Sequence, residues 1–108
     1  MTTEHLIVVA IATAQAGREA ELKSRLEGVA TASWGEPGVV SYAVHDLRDA
    51  PGSFMMVEVY ASQAAFDAHL DTEHVKALIA DLASLVEGEL VVHQGRAAEF
   101  SAGSKGSL

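Results

Sequence analysis

The order of a few apolar runs decides most of what this chain can fold into. His5–Thr13 (HLIVVAIAT) is rich in β-branched residues at consecutive positions, the pattern of a strand buried on both faces. Val39–Asp46 (VVSYAVHD) and Phe54–Ala61 (FMMVEVYA) are two further strands, separated only by a turn at Leu47–Ser53 that contains Asp49-Ala50-Pro51-Gly52. That spacing predicts a β-hairpin. Between the first and second strands, Leu22, Leu26, Val29 and Ala30 share one helical face opposite Glu19, Lys23, Arg25 and Glu27. Gly17 opens this helix, Trp34 ends it, and Gly35-Glu36-Pro37-Gly38 forms the following turn. Ser62 caps a short helix through Leu70, and Asp71 or Thr72 caps another with Val75, Leu78, Ile79, Leu82, Leu85 and Val86 at helical spacing. Gly88 stops that helix, and Glu89–Ala97 (ELVVHQGRA) is the last strand.

The order β-α-β-β-α-α-β predicts an α+β domain over residues 1–98. Its simplest form is a ferredoxin-like, four-stranded antiparallel sheet with helices on one face. The glycine-rich tail, 99–108, is expected to be disordered. Several strands are apolar at consecutive positions, so the uncovered sheet face also carries hydrophobic side chains. Its burial against a second subunit predicts a two-fold homodimer.

With 108 residues the chain holds one domain. Seven basic residues against fifteen acidic ones, a formal charge of −8, are scattered without a run or stripe. No nucleic-acid partner is expected, and a neutral or apolar substrate is favoured over a heavily phosphorylated one. The absence of cysteine excludes disulfides, thiolate nucleophiles and cysteine metal sites. Leu6–Ala12 is too short to span a bilayer and lacks the flanks of a signal peptide, so no membrane contact and a cytoplasmic location are expected.

The chemistry concentrates in Glu58–His74 (EVYASQAAFDAHLDTEH). His69, three residues after Phe66 and next to Leu70, faces inward. It reads either as a core histidine bonded to a backbone carbonyl or as a general base. His74, in the first turn of the last helix, is either a capping residue or a competing base kept neutral by the helix dipole. Glu58 lies inside an apolar strand, where a carboxylate needs a partner. A backbone amide, Arg96 or Tyr42 would give it a structural role, and orienting a histidine or holding a substrate hydroxyl a functional one. Alternation places Met56, Glu58 and Tyr60 on one strand face without fixing which face meets the helices. Tyr42, Tyr60, Phe66, Met56 and Trp34 complete the candidate substrate contacts, with ordinary packing as the alternative for Tyr42 and Tyr60 and a core anchor for Trp34. On a continuous helix His69 and His74 would stand about 140° apart. With no H-x-x-x-H, H-E-x-x-H or G-x-G-x-x-G pattern present, neither a metal ion nor an organic cofactor is expected.

Three stretches together resemble the antibiotic biosynthesis monooxygenase (ABM) family. They are Gly17–Leu22, Glu36-Pro37-Gly38 followed by Tyr42, and Glu58-Val59-Tyr60 followed by Ala65, His69 and His74. The resemblance covers residues 6 to 97 and implies the dimeric α+β barrel fold. It implies a cofactor-independent oxygenase of a phenol, hydroquinone or anthrone-like ring, with O2 as co-substrate. Relatives of this type also include an isomerase of a phosphorylated signalling sugar, with Arg48 and Arg96 as phosphate holders here. A non-catalytic dimeric module for a hydrophobic metabolite is the third reading. Haem-degrading relatives have an aromatic at the position of His69 and a haem-ligating histidine further along the last helix, and this chain has neither.

Overall fold

The computed structural model describes residues 4–101, 103, 105, 106 and 108. The elements are β1 (Leu6–Thr13), α1 (Glu19–Ser33), β2 (Val39–Asp46), β3 (Ser53–Tyr60), α2 (Gln63–Leu70), α3 (Glu73–Leu85) and β4 (Val91–Gly95). The strands form one antiparallel sheet in the order β2-β3-β1-β4. This is the ferredoxin-like α+β arrangement expected from the sequence. Of the predicted tail, Glu99–Ser101 forms a 3-10 turn, and part of 99–108 lies outside the described residues.

Strand alternation resolves which face meets the helices. Leu6, Val8, Ala10 and Ala12 of β1, and Phe54, Met56, Glu58 and Tyr60 of β3, are buried on the helix side. There Leu22, Leu26 and Val29 of α1 join Val75, Leu78 and Leu85 of α3 in the main core. Ile7, Val9 and Ile11 fall on the other face, where the register aligns them with Met55, Val57 and Val59 of β3 and Val91, His93 and Gly95 of β4. β4 is exposed along its whole length, because it is an edge strand paired only with β1.

Two local devices position the site. At the α2–α3 junction, Thr72 Oγ1 donates to the His69 carbonyl at 2.7 Å and accepts from the Val75 amide at 3.4 Å. One hydroxyl thus closes α2 and caps α3, so the chain turns sharply between His69 and His74. In the Glu36-Pro37-Gly38-Val39 turn, the Val39 amide donates back to the Glu36 carbonyl at 3.1 Å, and the Ala61 amide donates to the Gly38 carbonyl at 2.9 Å. Gly38 lies against α2 so closely that an added Cβ would sit 2.4 Å from Ala65 Cβ. Only glycine lets this turn approach the helix, and Glu36 comes with it.

Gly38→Ala is therefore expected to destabilise the fold by about 1–3 kcal/mol, the usual cost of overpacking. Ala65→Gly in the same chain should recover part of that loss, measured by urea unfolding. An unchanged midpoint in the single variant would contradict this packing.

Candidate active site

A cavity of about 90 Å³ lies between the sheet and the helices. Val8, Ala10, Leu26, Val29, Val75, Leu78 and Leu82 supply much of its apolar wall, with Ile79 and Val92 among the other lining residues. Among the described residues its only polar lining comes from Tyr42, Glu58 and His69. No lysine or arginine lines it, so Arg48 and Arg96 are not placed to hold a phosphate there.

His69 is 3% exposed, held against Tyr60 (ring centroids 5.1 Å apart) and Tyr42 (5.6 Å). Its polar partner is not the backbone carbonyl considered from the sequence. His69 Nδ1 lies 2.9 Å from Glu36 Oε2, and His74 Nε2 lies 2.7 Å from the same oxygen. A carboxylate has only lone pairs to offer, so both imidazoles donate. His69 is thereby fixed as the Nδ1–H tautomer, leaving a lone pair on Nε2. Among the described residues Nε2 has no hydrogen-bond partner, and no buried side-chain polar atom lacks one. With Nδ1 turned to Glu36, Nε2 is the ring nitrogen left available to the cavity that His69 lines. The arrangement is chemically able to take up a proton at Nε2 while Glu36 holds Nδ1.

Glu58 also faces the cavity, but its partner is neither Arg96 nor Tyr42. The Tyr60 hydroxyl, two residues along the same strand face, donates to Glu58 Oε1 at 2.5 Å. Burial pushes the Glu58 carboxyl up to about 7, against the opposing pull of that hydrogen bond. Burial raises the Tyr60 and Tyr42 phenols as well, followed by the Glu58 charge. At neutral pH Glu58 can thus give a proton or take one, while both tyrosines stay protonated.

The Glu58 shift predicts a pH effect on stability. A folded value of about 7 above the ordinary 4.5 means that folding favours the protonated acid. The acid costs nothing below the lower value, stability falls as pH rises between the two, and above about 7 the full penalty of about 3 kcal/mol stands. Glu58→Gln retains an acceptor for Tyr60 and removes the titration. Its urea stability relative to the unsubstituted chain should rise between pH 5 and pH 8, and a constant difference would contradict the shift.

The sequence-predicted site residues divide cleanly. Tyr42, Met56, Glu58, Phe66 and His69 line the cavity together. Tyr60, fully buried, stands behind Glu58 and His69 rather than on the lining. His74 faces Glu36, not the cavity. Trp34 is neither core anchor nor part of the lining: it is 64% exposed, and its Nε1 donates to the Tyr42 carbonyl at 2.8 Å. Its position one residue past the end of α1 turns the indole outward across the start of β2. The 140° separation of His69 and His74 does not apply either, because they lie on separate helices and both imidazoles meet Glu36. Glu36 itself was visible in the sequence only as a turn residue. Its signal was an acidic side chain beginning a turn that must pack on the helix bearing His69.

The sequence profile described as antibiotic biosynthesis monooxygenase matches residues 5–81. No curated protein matches the chain. Among solved structures, a Deinococcus radiodurans protein named a candidate antibiotic biosynthesis monooxygenase is 28% identical (TM-score 0.81, covering 87% of this chain and 93% of that one). A Pseudomonas aeruginosa protein is 25% identical (TM-score 0.82, 89% and 96%). One from Nitrosomonas europaea, also named a candidate monooxygenase of this type, shares the fold at 16% identity (TM-score 0.84, 90% and 93%). The profile takes in the Glu36 turn, the Glu58 strand and both histidines, and on that match the chain belongs to the antibiotic biosynthesis monooxygenase family.

Proposed function

We propose that the protein is a monooxygenase that oxidises a small aromatic substrate, a phenol or hydroquinone, directly with O2. The observation that carries this reading is the Glu36–His69 pair, in which the carboxylate holds Nδ1 and leaves the other ring nitrogen to the apolar cavity that His69 lines. His69 Nε2 removes the phenolic proton, and the electron-rich anion passes one electron to O2. Recombination of the radical pair forms a carbon–oxygen bond and a hydroperoxide. Loss of water then leaves a quinone, with one oxygen atom retained in the product and the other released as water. The substrate supplies all the electrons, so no external reductant enters. Glu58, poised between its two protonation states, hydrogen-bonds the substrate oxygen or protonates the departing one. The apolar wall excludes water from the anion, and Met56 gives it an adaptable lining.

The cavity size supports a single ring. At about 90 Å³ it is smaller than the ~150 Å³ apolar cavity that accepts benzene, so even one ring requires the wall to yield. An anthrone-like tricycle does not fit this space. O2-electrode assays should therefore show uptake with one-ring hydroquinones and little with anthrones, and turnover should cease without O2. A rate unchanged under anaerobic conditions would sink the oxygenase reading.

The half-covered face bearing Ile7, Val9, Ile11 and Val57 supports a working homodimer joined sheet to sheet. Light scattering should give twice the chain mass, and a monomer at micromolar concentration would exclude it.

A further inference from the structure

We infer that Glu36, His69 and His74 form a binding site for one divalent transition-metal ion of the zinc, cobalt or ferrous type. Their ligand atoms, one from each residue, all lie within 4.8 Å of one another. They come from three separate parts of the chain, the turn after α1, the end of α2 and the first turn of α3, so their convergence is not a property of one helix. Tetrahedral metal–ligand bonds of about 2.0–2.2 Å place neighbouring donors about 3.3–3.6 Å apart. The separations of 2.9 Å and 2.7 Å from Glu36 Oε2 to the two nitrogens lie below that spacing, and the 4.8 Å limit on the three donors lies above it, so the set brackets the distance an ion requires.

The donor set, two imidazoles and one carboxylate without thiolate, suits borderline divalent ions and leaves coordination positions for water or a ligand. His74 keeps 26% of its side chain exposed, which gives an ion a path in from the surface. The Ser33 hydroxyl, 3.4 Å from His74 Nε2, lies close enough to bond an ion-bound water. The formal charge of −8 raises the local cation concentration further.

Binding has a chemical consequence at the base. An imidazole that coordinates through Nδ1 and stays neutral carries its proton on Nε2. For His69 that is the nitrogen facing the cavity, so the ion converts the base into a donor. The same three side chains then have two exclusive states: a hydrogen-bonded one with the base available, and a metal-bound one with it blocked. The binding site stands on its geometry alone, and only this inhibitory consequence rests on the oxygenase reading.

The test uses the full chain without an affinity tag, treated with chelator and titrated with cobalt(II) chloride while the visible d–d absorption is followed. A band saturating at one ion per chain and abolished by added zinc is expected. Glu36→Gln and His74→Ala should each weaken binding by more than about 100-fold, beyond what a change behind the ligands costs. His93→Ala, at an exposed position on β4, should leave it unchanged. A titration of the unsubstituted chain that shows no saturable band overturns the site. So does undiminished binding in Glu36→Gln, or loss of binding in His93→Ala. Since absorption reads occupancy and not turnover, failure of the oxygenase reading would leave this result standing.

Discussion

His69→Ala is expected to lower kcat by about 10²–10⁴-fold, the usual worth of a positioned general base. The substitution empties a space beside Tyr60, Tyr42 and Phe66, all in ring contact with His69. Imidazole added to the solution can occupy that space and supply the missing lone pair. Partial rescue by imidazole, with no rescue by an alcohol of similar size, distinguishes a base from a packing residue. The variant also leaves Glu36 with His74 as its remaining imidazole partner, so some loss of stability accompanies it. Activity equal to that of the unsubstituted enzyme would remove His69 from the mechanism.

Glu36→Gln is expected to cost nearly as much in kcat while leaving KM close to its original value. Glu36 is not itself a lining residue and meets the cavity only through His69, so direct substrate contacts are retained. What changes is the proton on His69. A carboxylate can only accept, whereas an amide can turn its NH2 toward Nδ1 and stabilise the tautomer that carries the proton on Nε2. A carboxylate-to-amide change of this kind behind a catalytic histidine can cost about 10⁴-fold through the wrong tautomer alone. Glu36→Ala adds a stability loss of about 1–3 kcal/mol, because an imidazole N–H at a nearly fully buried position is left without a partner. A drop confined to KM would mean that Glu36 acts on binding rather than on the base.

The physics of local sequence explains what could be read in advance. Strand alternation, the Ser62 cap, confirmed by its hydroxyl accepting from the Ala65 amide at 3.1 Å, and the two helix faces are short-range properties. They make the fold legible, and they pick out the stretch that carries Glu58, His69 and His74. The Glu36–His69 and Glu36–His74 contacts span 33 and 38 residues, and no periodicity reports a pairing at that range. The helix break at Asp71-Thr72 is legible in the sequence, but no local signal reports that the Thr72 cap leaves both rings facing Glu36. Trp34 and Tyr60 were misplaced for a related reason. Residue type suggested aromatic contacts with substrate, but solvent exposure at a helix end and the second layer behind a lining carboxylate are tertiary facts.

The proposed chemistry requires that Glu36 hold His69 as the Nδ1–H tautomer with a bare Nε2 facing the cavity. Long-range proton–nitrogen correlation spectra of the nitrogen-15-labelled, chelator-treated protein at neutral pH read this directly. A protonated Nδ1 and an unprotonated Nε2 are expected for His69, with the pattern lost in Glu36→Gln. A proton on His69 Nε2 in the unsubstituted protein would contradict it.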